Sequence, residues 1–410
     1  MHFWIVQTGE PVFTDGPNVR PMRAMNLASM AISKGHKVTL ITSNFDHFSK
    51  RKRFAGDKFE EISENLGIQF VDSPGYKRNI SFKRFFDHYL MGKRMLRISS
   101  KLEKPDAVFI GYPPIETSWF LAKYCVRKGI PYILDVKDAW PSNIVEAFPY
   151  KVRPIIKWSL TPYFRMFSFT ARNALKVCSI TSEFLNWTQV TSKRGFNSSD
   201  FIAYLSSRNV INSESDLSAA EKWFESKINL NNDLPTIYFI GSLSRSFDFG
   251  VVLEAAKSNT FNLVIGGHGE QLTFLSDRVK TLPNVHLVGW VDSAQSEIIA
   301  LNSNYALAPM RPLSDFEMSI PNKYFDYLRR GTPILSSLNG PSRTLLESEK
   351  VGIYYESSDD ILSIVNNYIS NPADTKLMAS RCSEVFTQIF SYEKVYSQLV
   401  NELVEIAKPN

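Results

Sequence analysis

The stretch SIPNKYFDYLRRGTPIL, residues 319–335, places a lysine and a carboxylate at the start of a predicted helix. Pro321, Asn322 and Lys323 form a turn into that helix, and we expect Asp326 in its first turn. Main-chain amides at a helix N-terminus, aided by the helix dipole, suit a phosphate or diphosphate group. A solvated lysine and a carboxylate that only complements the dipole are the alternatives. The stretch is therefore a candidate anion site.

Two glycine-rich turns precede this stretch. The first, in TIYFIGSLSRSFDFG, carries Gly241 and Arg245. The second, in FNLVIGGHGE, carries Gly266, Gly267, His268 and Gly269. Glycines at such turns let the backbone approach a ligand and offer amide donors to anions. An ordinary strand-to-helix turn explains either loop alone equally well, and His268 is either a phosphate contact or a turn residue.

The charge of the 410-residue chain differs between its halves. Residues 1–210 hold 31 Lys and Arg against 17 Asp and Glu, whereas residues 211–410 hold 16 against 24. The basic half indicates an anionic partner, either nucleic acid, acidic lipid or a phosphate-bearing substrate. No apolar run reaches about 18 residues, so we expect no membrane-spanning helix. Three scattered cysteines and the lack of a signal-peptide pattern predict a reduced, cytosolic protein.

Short β-branched runs alternate with helical patterns along the chain, which is typical of parallel α/β sheets. Strands are predicted at residues 3–8, 38–42, 107–110, 132–135, 177–180, 236–239, 262–265, 285–288, 305–308 and 333–336. The polar stretch at residues 206–235, between the fifth and sixth of these strands, breaks the alternation and predicts a domain boundary near residue 205. The predicted fold class is α/β, with two Rossmann-like domains facing a cleft and ligands at the carboxyl ends of the strands.

The order of these segments resembles glycosyltransferase family 4, whose members have the GT-B fold. After the glycine turns, PNVHLVGWV, NYALAPMR and SIPNKYFDYLRRGTPIL follow in the family's order and spacing. In the first half, DGPNVRPMRAMNLASMAISKGHKVTLITSN, LDVKDAWPSN and SITSEFL are similar to segments of the subgroup that builds O-antigen, capsule and related polysaccharides. The resemblance covers nearly the whole chain and rests on the combination of motifs.

The resemblance implies that residues 206–390 bind a nucleotide-sugar donor, with UDP as the expected nucleotide. The two glycine turns and His268 would lie at the donor. Pro321, Asn322 and Lys323 would hold its diphosphate, and Asp326 its ribose. Gly16 fits a loop under the donor, or is an ordinary turn glycine. Two departures from the family pattern are Met318, in place of an earlier glutamate, and Ser242, in place of the loop arginine.

The family retains the anomeric configuration, which implies front-side attack with the leaving phosphate accepting the acceptor's proton. Arg245, Lys323 and the helix amides would then stabilise charge on the diphosphate. No metal or other cofactor is expected, since the sequence has no Asp-x-Asp motif. Asp138, in VKDAWP, is the candidate for orienting the acceptor or donor sugar, with a structural role as the alternative.

The acceptor is assigned by the resemblance to residues 1–205, joined by a crossover helix at 391–410. The candidate acceptor-binding residues are Glu10, Arg20, Arg23, His47, Lys50 and Arg53. The basic members could hold an acceptor diphosphate, or they are solvated surface cations. Residues 79–102 and 151–176 interleave aromatic and basic side chains, which favours binding to anionic lipid, although such helix stripes more often pack in a core.

We therefore predict a hexosyl- or N-acetylhexosaminyltransferase at the inner face of the cytoplasmic membrane. It would use a lipid-linked (polyprenyl-diphosphate) saccharide as acceptor in cell-surface polysaccharide biosynthesis. A UDP-N-acetylglucosamine 2-epimerase of the same fold is one alternative and would need a different set of carboxylates. A nucleic-acid-binding protein is the other; only the basic half suggests it, and no recognition motif supports it.

Overall fold

The computed structural model describes residues 1–16, 19–78, 81–206, 208 and 211–408. Their contacts divide the chain into two compact units. Unit 1 consists of Met1–Arg208 and Ser391–Asn410, and unit 2 of Asn209–Phe390. The division lies close to the boundary expected at residue 205.

Unit 1 is built on one eight-stranded sheet and a small antiparallel pair. Its strands are β1 (His2–Val6), β2 (Lys37–Ser43), β3 (Phe45–Asp46), β4 (Arg51–Lys52), β5 (Lys58–Ser63), β6 (Leu66–Val71), β7 (Ala107–Tyr112), β8 (Tyr132–Val136), β9 (Lys176–Ser179) and β10 (Phe201–Ile202). The sheet order is β10-β9-β8-β7-β1-β2-β6-β5, and β3 pairs with β4. All neighbours are parallel except β5 and β6. The order reverses between β1 and β7, where open α/β sheets form a binding crevice.

Helices connect these strands and cover the sheet. They are α1 (Arg23–Ser33), α2 (Phe82–Ser99), α3 (Ile115–Lys128), α4 (Ser142–Glu146), α5 (Arg153–Ser159), α6 (Thr161–Asn173) and α7 (Ser182–Ser192), with a 3₁₀ turn at Tyr150–Val152. Every residue of β7 and β8 is buried, as expected for parallel strands covered on both faces. By contrast, β5 is mostly exposed and charged, as suits an antiparallel edge.

Unit 2 is a six-stranded parallel sheet. Its strands are β11 (Thr236–Ile240), β12 (Asn262–Gly266), β13 (Val285–Gly289), β14 (Tyr305–Ala308), β15 (Ile334–Ser336) and β16 (Gly352–Tyr354). The order β13-β12-β11-β14-β15-β16 is that of a Rossmann sheet, with its switch point between β11 and β14. The α/β class with two Rossmann-type sheets is therefore confirmed.

The helices of unit 2 include one in the stretch expected to interrupt the fold. They are α8 (Glu214–Lys227), α9 (Gly250–Ala256), α10 (Leu272–Val279), α11 (Ser293–Leu301), α12 (Ser314–Glu317), α13 (Asn322–Arg329), α14 (Pro341–Glu349), α15 (Ser358–Ser370) and α16 (Pro372–Val385), with a π-helical turn at Phe386–Phe390. A capping box formed by Ser213 and Asp216 starts α8, and its apolar side packs on α11. Residues Glu214–Lys227 of the polar stretch are therefore helical.

The last helix, α17 (Tyr392–Ala407), returns to unit 1 and packs beside α1. Tyr396, Leu399 and Leu403 are completely buried in the same core as β1 and β2. The Tyr396 hydroxyl donates to the Ser206 carbonyl at 2.8 Å. The core of unit 1 therefore includes the end of the chain.

Replacing Leu399 by alanine tests this packing. Loss of a fully buried leucine should lower the free energy of unfolding of unit 1 by about 2–5 kcal/mol. Five of the seven tryptophans lie in unit 1, so urea unfolding followed by tryptophan fluorescence reports mainly on it. Leu301→Ala, at a side chain that is 70% exposed in unit 2, is the control and should change stability by less than about 0.5 kcal/mol. Equal stability of the two variants would contradict the packing.

Candidate functional site

A lysine lies over the carboxyl end of the central strand of unit 2. Lys323, the second residue of α13, donates from Nζ to the carbonyl oxygen of Ile240 at the end of β11. Its Nζ also lies 4.1 Å from the centre of the Phe239 ring. A β-carbon at position 241 would collide with this ammonium group. Gly241 therefore makes room for Lys323 at the switch point of the sheet.

The two glycine turns pack against each other. The amide of Gly241 donates to Gly266 at 3.0 Å, and that of Gly267 donates to Gly289 at 2.6 Å. Gly267 has φ +138°, and a β-carbon there would collide with the Gly241 carbonyl. The expectation that these two amides are donors for an anion is therefore corrected, because both are already bonded within the protein. A contact between these glycines and a ligand stays a prediction.

Both glycine turns carry exposed residues. His268 and Gly269 are exposed, and the His268 carbonyl accepts from Leu243 at 2.8 Å. The Arg245 side chain is 87% exposed, and its Nε lies 3.1 Å from a carboxylate oxygen of Glu270. Such an exposed pair is weak, so Arg245 can exchange this partner for another anion at little cost.

Helix α13 begins at Asn322, with Pro321 preceding it. The Pro321 side chain does not cap the first-turn amides, and the amide of Tyr324 donates to the Pro321 carbonyl at 2.9 Å. Asp326 is the fifth residue of the helix and lies in its second turn, which corrects the expected first-turn position. The charge of Asp326 acts on Arg330. Burial lowers the pKa of Arg330, but its neighbours Tyr238, Asp326 and Glu297 outweigh burial and raise this pKa overall.

Unit 1 contains a cavity of about 190 Å³ at its own switch point, where β1 and β7 end. We call it the polar cavity. It is lined by Gln7, Thr8, Gly9, Ser43, Phe45, His47, Tyr76, Arg84, Asp87, His88, Met91, Pro113, Pro114, Lys137 and Asp138. The structure thus brings together two predicted residues, His47 and Asp138, in one cavity.

The charged and aromatic lining residues Tyr76, Arg84, Asp87, His88 and Lys137 were not predicted as site residues. Asp87 and His88 interrupt the aromatic and basic residues of α2 and are buried, whereas their neighbours Phe86 and Tyr89 are exposed. That polar pair was the signal in the sequence. Lys137 adjoins Asp138 and could have been found with it.

Two histidines of the polar cavity have fixed partners. His47 Nδ1 lies 2.6 Å from the Tyr76 hydroxyl and 3.3 Å from Lys50 Nζ. Burial, and then the charges of Lys50 and Arg84, lower the pKa of His47 to about 4, so it is neutral at pH 7. His88 Nδ1 lies 3.7 Å from a carboxylate oxygen of Glu116, and both side chains are buried.

Arg23 is buried and cannot hold an acceptor diphosphate as expected. Its side chain is 1% exposed, and its guanidinium lies 2.7 Å from Asp135 Oδ1. It also donates to the Tyr204 carbonyl at 2.8 Å. A guanidinium enclosed in this way has no free edge for a ligand, so we remove Arg23 from the predicted acceptor set.

Glu10 and Arg53 also have partners within unit 1. Glu10 accepts from the amide of Ala24, in the first turn of α1, at 2.9 Å and from Lys137 Nζ at 2.7 Å. Arg53 forms a two-bond pair with Asp15, at 2.5 and 2.6 Å. Both side chains therefore join separate segments of unit 1, and contact of either with an acceptor stays a prediction.

The other predicted residues of unit 1 lie nearer the surface. Lys50 is half-buried, with Nζ 4.9 Å from the centre of the Tyr76 ring. Arg20 and Gly16 are exposed. Among the residues that the structure describes, no group of three His, Cys, Asp or Glu side chains could hold a metal ion.

Comparison with known proteins identifies the fold. No family model matches the chain, and no curated protein matches its sequence. Among solved structures, HepE from Anabaena, in complex with UDP, is 13% identical, with a TM-score of 0.65 over 98% of this chain and 99% of that one. Sucrose-phosphate synthase from Thermosynechococcus elongatus is 13% identical, with a TM-score of 0.68 over 99% and 98%.

WaaG, a glycosyltransferase involved in lipopolysaccharide biosynthesis, is 11% identical, with a TM-score of 0.60 over 98% of this chain and 99% of that one. Likeness at such low identity establishes the fold alone. The chain has the GT-B fold of these glycosyltransferases, as the sequence predicts.

The pKa of His47 gives a test of the polar cavity. Lys50→Met removes a nearby positive charge, so the pKa should rise from about 4, and NMR titration of the imidazole C2 proton would measure it. Because the folded pKa lies below the unfolded value of 6.5, stability due to His47 should decline as pH falls from 6.5 toward 4. Lys101→Met, at an exposed lysine beyond the end of α2, is the control. A His47 pKa that is the same in both variants would contradict the described contact.

Proposed function

We propose that the chain is a glycosyltransferase that takes a sugar from a UDP-linked donor and transfers it, with retention, to a lipid-linked saccharide. The observation that carries the proposal is the placement of Lys323. Its ammonium group lies at the carboxyl end of β11, beside the N-terminus of α13. Ligands of open α/β sheets bind at such switch points, and helix N-termini favour phosphates.

The contacts of Lys323 suit a diphosphate. The Ile240 carbonyl and the Phe239 ring orient the ammonium group at the carboxyl end of β11. HepE was solved with UDP and with UDP-glucose, which supports UDP as the nucleotide. In this proposal Asp326 binds the ribose, and the turns at Gly241 and at 266–269 surround the donor.

The chemistry is a front-side displacement. An acceptor hydroxyl attacks the anomeric carbon as the bond to the diphosphate breaks, and its proton passes to the leaving phosphate oxygen. Lys323, the first-turn amides of α13 and the exposed cation Arg245 stabilise the charge that develops on the diphosphate. Asp138, in the polar cavity of unit 1, orients the acceptor sugar. The charge-stabilising groups are side chains and amides, and the proposal includes no metal.

Two point variants test the donor site. The donor used is the UDP-sugar that most raises the melting temperature of the protein, and the measurement is the steady-state rate of UDP release from it. Lys323→Ala should reduce transition-state stabilisation by about 2–4 kcal/mol, mainly through kcat, because charge on the diphosphate grows as the bond breaks. Asp326→Ala should mainly raise KM, since ribose contacts change little along the reaction.

Lys257→Ala is the control, at an exposed lysine of unit 2 that pairs with Glu254. It should leave both constants unchanged. Turnover of Lys323→Ala at the parental rate would refute the donor site. A product that is an epimerised UDP-sugar, formed without acceptor, would instead favour the epimerase.

We place the enzyme on an anionic membrane surface. Phe82 and Phe86 of α2 are 93% and 62% exposed, and Ile155 and Trp158 of α5 are 65% and 77% exposed. Aromatic side chains beside basic ones suit a lipid interface. Among the described residues, no helix is long and apolar enough to cross a membrane. The likeness to WaaG, with its role in lipopolysaccharide biosynthesis, supports a role in cell-surface polysaccharide synthesis.

The basic residues available to lipid differ from those expected from the sequence. Arg84 lies 5.0 Å from the centre of the Trp140 ring and lines the polar cavity. Arg94 is paired with Asp72. The exposed cations of α2 are therefore Lys83, Lys93 and Arg97.

Phe82→Ser should weaken co-sedimentation with vesicles of equal parts phosphatidylglycerol and phosphatidylcholine at least about tenfold, because burial of one phenylalanine is worth about 1.5–3 kcal/mol. Phe196→Ser is the matched control, since Phe196 is 86% exposed elsewhere in unit 1. Binding that is equally strong in both variants would exclude α2 from the membrane contact.

A further inference from the structure

A second cavity, of about 480 Å³, lies next to the polar cavity in unit 1. We call it the basic cavity. It is lined by Phe45, Lys50, Lys52, Pro74, Gly75, Tyr76, Lys77, Arg78, Ser81 and Lys83. Phe45 and Tyr76 line both cavities, and their rings are 5.0 Å apart. The two cavities therefore share one aromatic wall.

The two cavities differ in charge. The polar cavity combines the carboxylates Asp87 and Asp138 with the cations Arg84 and Lys137. The described residues that line the basic cavity include no acidic side chain, although Lys52 is paired with Asp72 at 2.8 Å from outside the lining. In the polar cavity the two carboxylates offset the two cations, whereas the lysines and the arginine of the basic cavity give it a positive charge that attracts a diphosphate.

The polar cavity has groups that suit sugar hydroxyls. Carboxylates and amides such as Asp138 and Gln7 accept hydrogen bonds from hydroxyls, and Arg84 donates them. The depressed pKa of His47 keeps its imidazole neutral, and His88 is held against Glu116. His47 thus belongs with the sugar-binding groups, although the sequence suggested it for a diphosphate.

The basic cavity opens beside an apolar surface. Ser81 and Lys83 line it, and Phe82 between them is 93% exposed at the start of α2. Phe86, one turn further along α2, is also exposed. The surface of unit 1 therefore presents polar, basic and apolar regions in that order.

We propose that unit 1 divides its acceptor between these cavities. The polar cavity takes the sugar that receives the transferred unit. The basic cavity takes the phosphate or diphosphate that joins the saccharide to its lipid, and the lipid leaves over Phe82 and Phe86. This assignment rests on the proposed function and adds Lys77, Arg78 and Lys83 as acceptor-binding residues.

Farnesyl diphosphate, a soluble diphosphate with an apolar chain, tests the basic cavity by isothermal titration calorimetry on the full chain. The triple variant Lys77→Glu/Arg78→Glu/Lys83→Glu should bind it at least tenfold more weakly than the parent. The matched control is Lys101→Glu/Lys104→Glu/Lys128→Glu, which changes the charge equally at exposed residues near the amino ends of β7 and β8. It should bind within about twofold of the parent.

Asp138→Asn distinguishes the two cavities. A diphosphate in the basic cavity should bind this variant as it binds the parent. A diphosphate in the polar cavity would bind more tightly once the carboxylate is neutral, and that result would overturn the assignment. Vesicles containing phosphatidylglycerol distinguish the source of the phosphate. A Lys77/Arg78/Lys83 variant that loses only vesicle binding would show a bilayer headgroup site and would also overturn it.

UDP binding, measured on the same samples, separates this inference from the proposed function. Two results would refute the division of the acceptor and leave the proposed function intact. In one, the chain binds UDP but not farnesyl diphosphate; in the other, it binds UDP, and both triple variants bind farnesyl diphosphate equally. A chain that does not bind UDP refutes the function itself.

Discussion

The guanidinium of Arg23 holds together the segments that meet at the carboxyl edge of the sheet in unit 1. It bonds to Asp135 at the end of β8 and to the carbonyls of Ala203 and Tyr204. Burying an isolated charge is costly, and the pair with Asp135 together with these carbonyls offsets that cost. Without Arg23, the buried carboxylate at the end of β8 would keep only the more distant ammonium group of Lys137, 4.0 Å away, as its counter-charge.

A series of side chains with alternating charge runs from Arg23 and Asp135 to Lys137, which lines the polar cavity, and on to Glu10. Lys137 Nζ lies 4.0 Å from Asp135 and 2.7 Å from Glu10, and Glu10 accepts from the first turn of α1. Each charge in this series is next to one of opposite sign, so Lys137 has little freedom to move. In unit 2, Lys323 donates to the Ile240 carbonyl at the end of β11 and lies over the Phe239 ring.

Much of the fold could be read from the sequence, because fully buried parallel strands such as β7 and β8 are short apolar runs. Strand β5 was missed because it lies exposed at an edge and reads as polar, and α8 because its few apolar residues lie within a mostly polar stretch. Capping residues Ser213 and Asp216 were the available signal for that helix.

The candidate site was less predictable, since burial depends on contacts between distant residues. Arg23 reads as an exposed cation at a helix start, and its partner Asp135 lies 112 residues away in the chain. The turn of α13 that carries Asp326 depends on where the helix begins, which propensity locates only to within a few residues. The position of Lys323, by contrast, followed from the turn that precedes it.

The return of α17 makes unit 2 an insertion between two parts of unit 1. During synthesis, unit 2 is complete once residue 390 has left the ribosome, whereas the core of unit 1 still lacks Tyr396, Leu399 and Leu403. At 5–20 residues per second, the 182 residues of unit 2 take about 10–40 s to make. For that interval the apolar groove beside α1 is open to water, and the first part of the chain to emerge is the last to be completed.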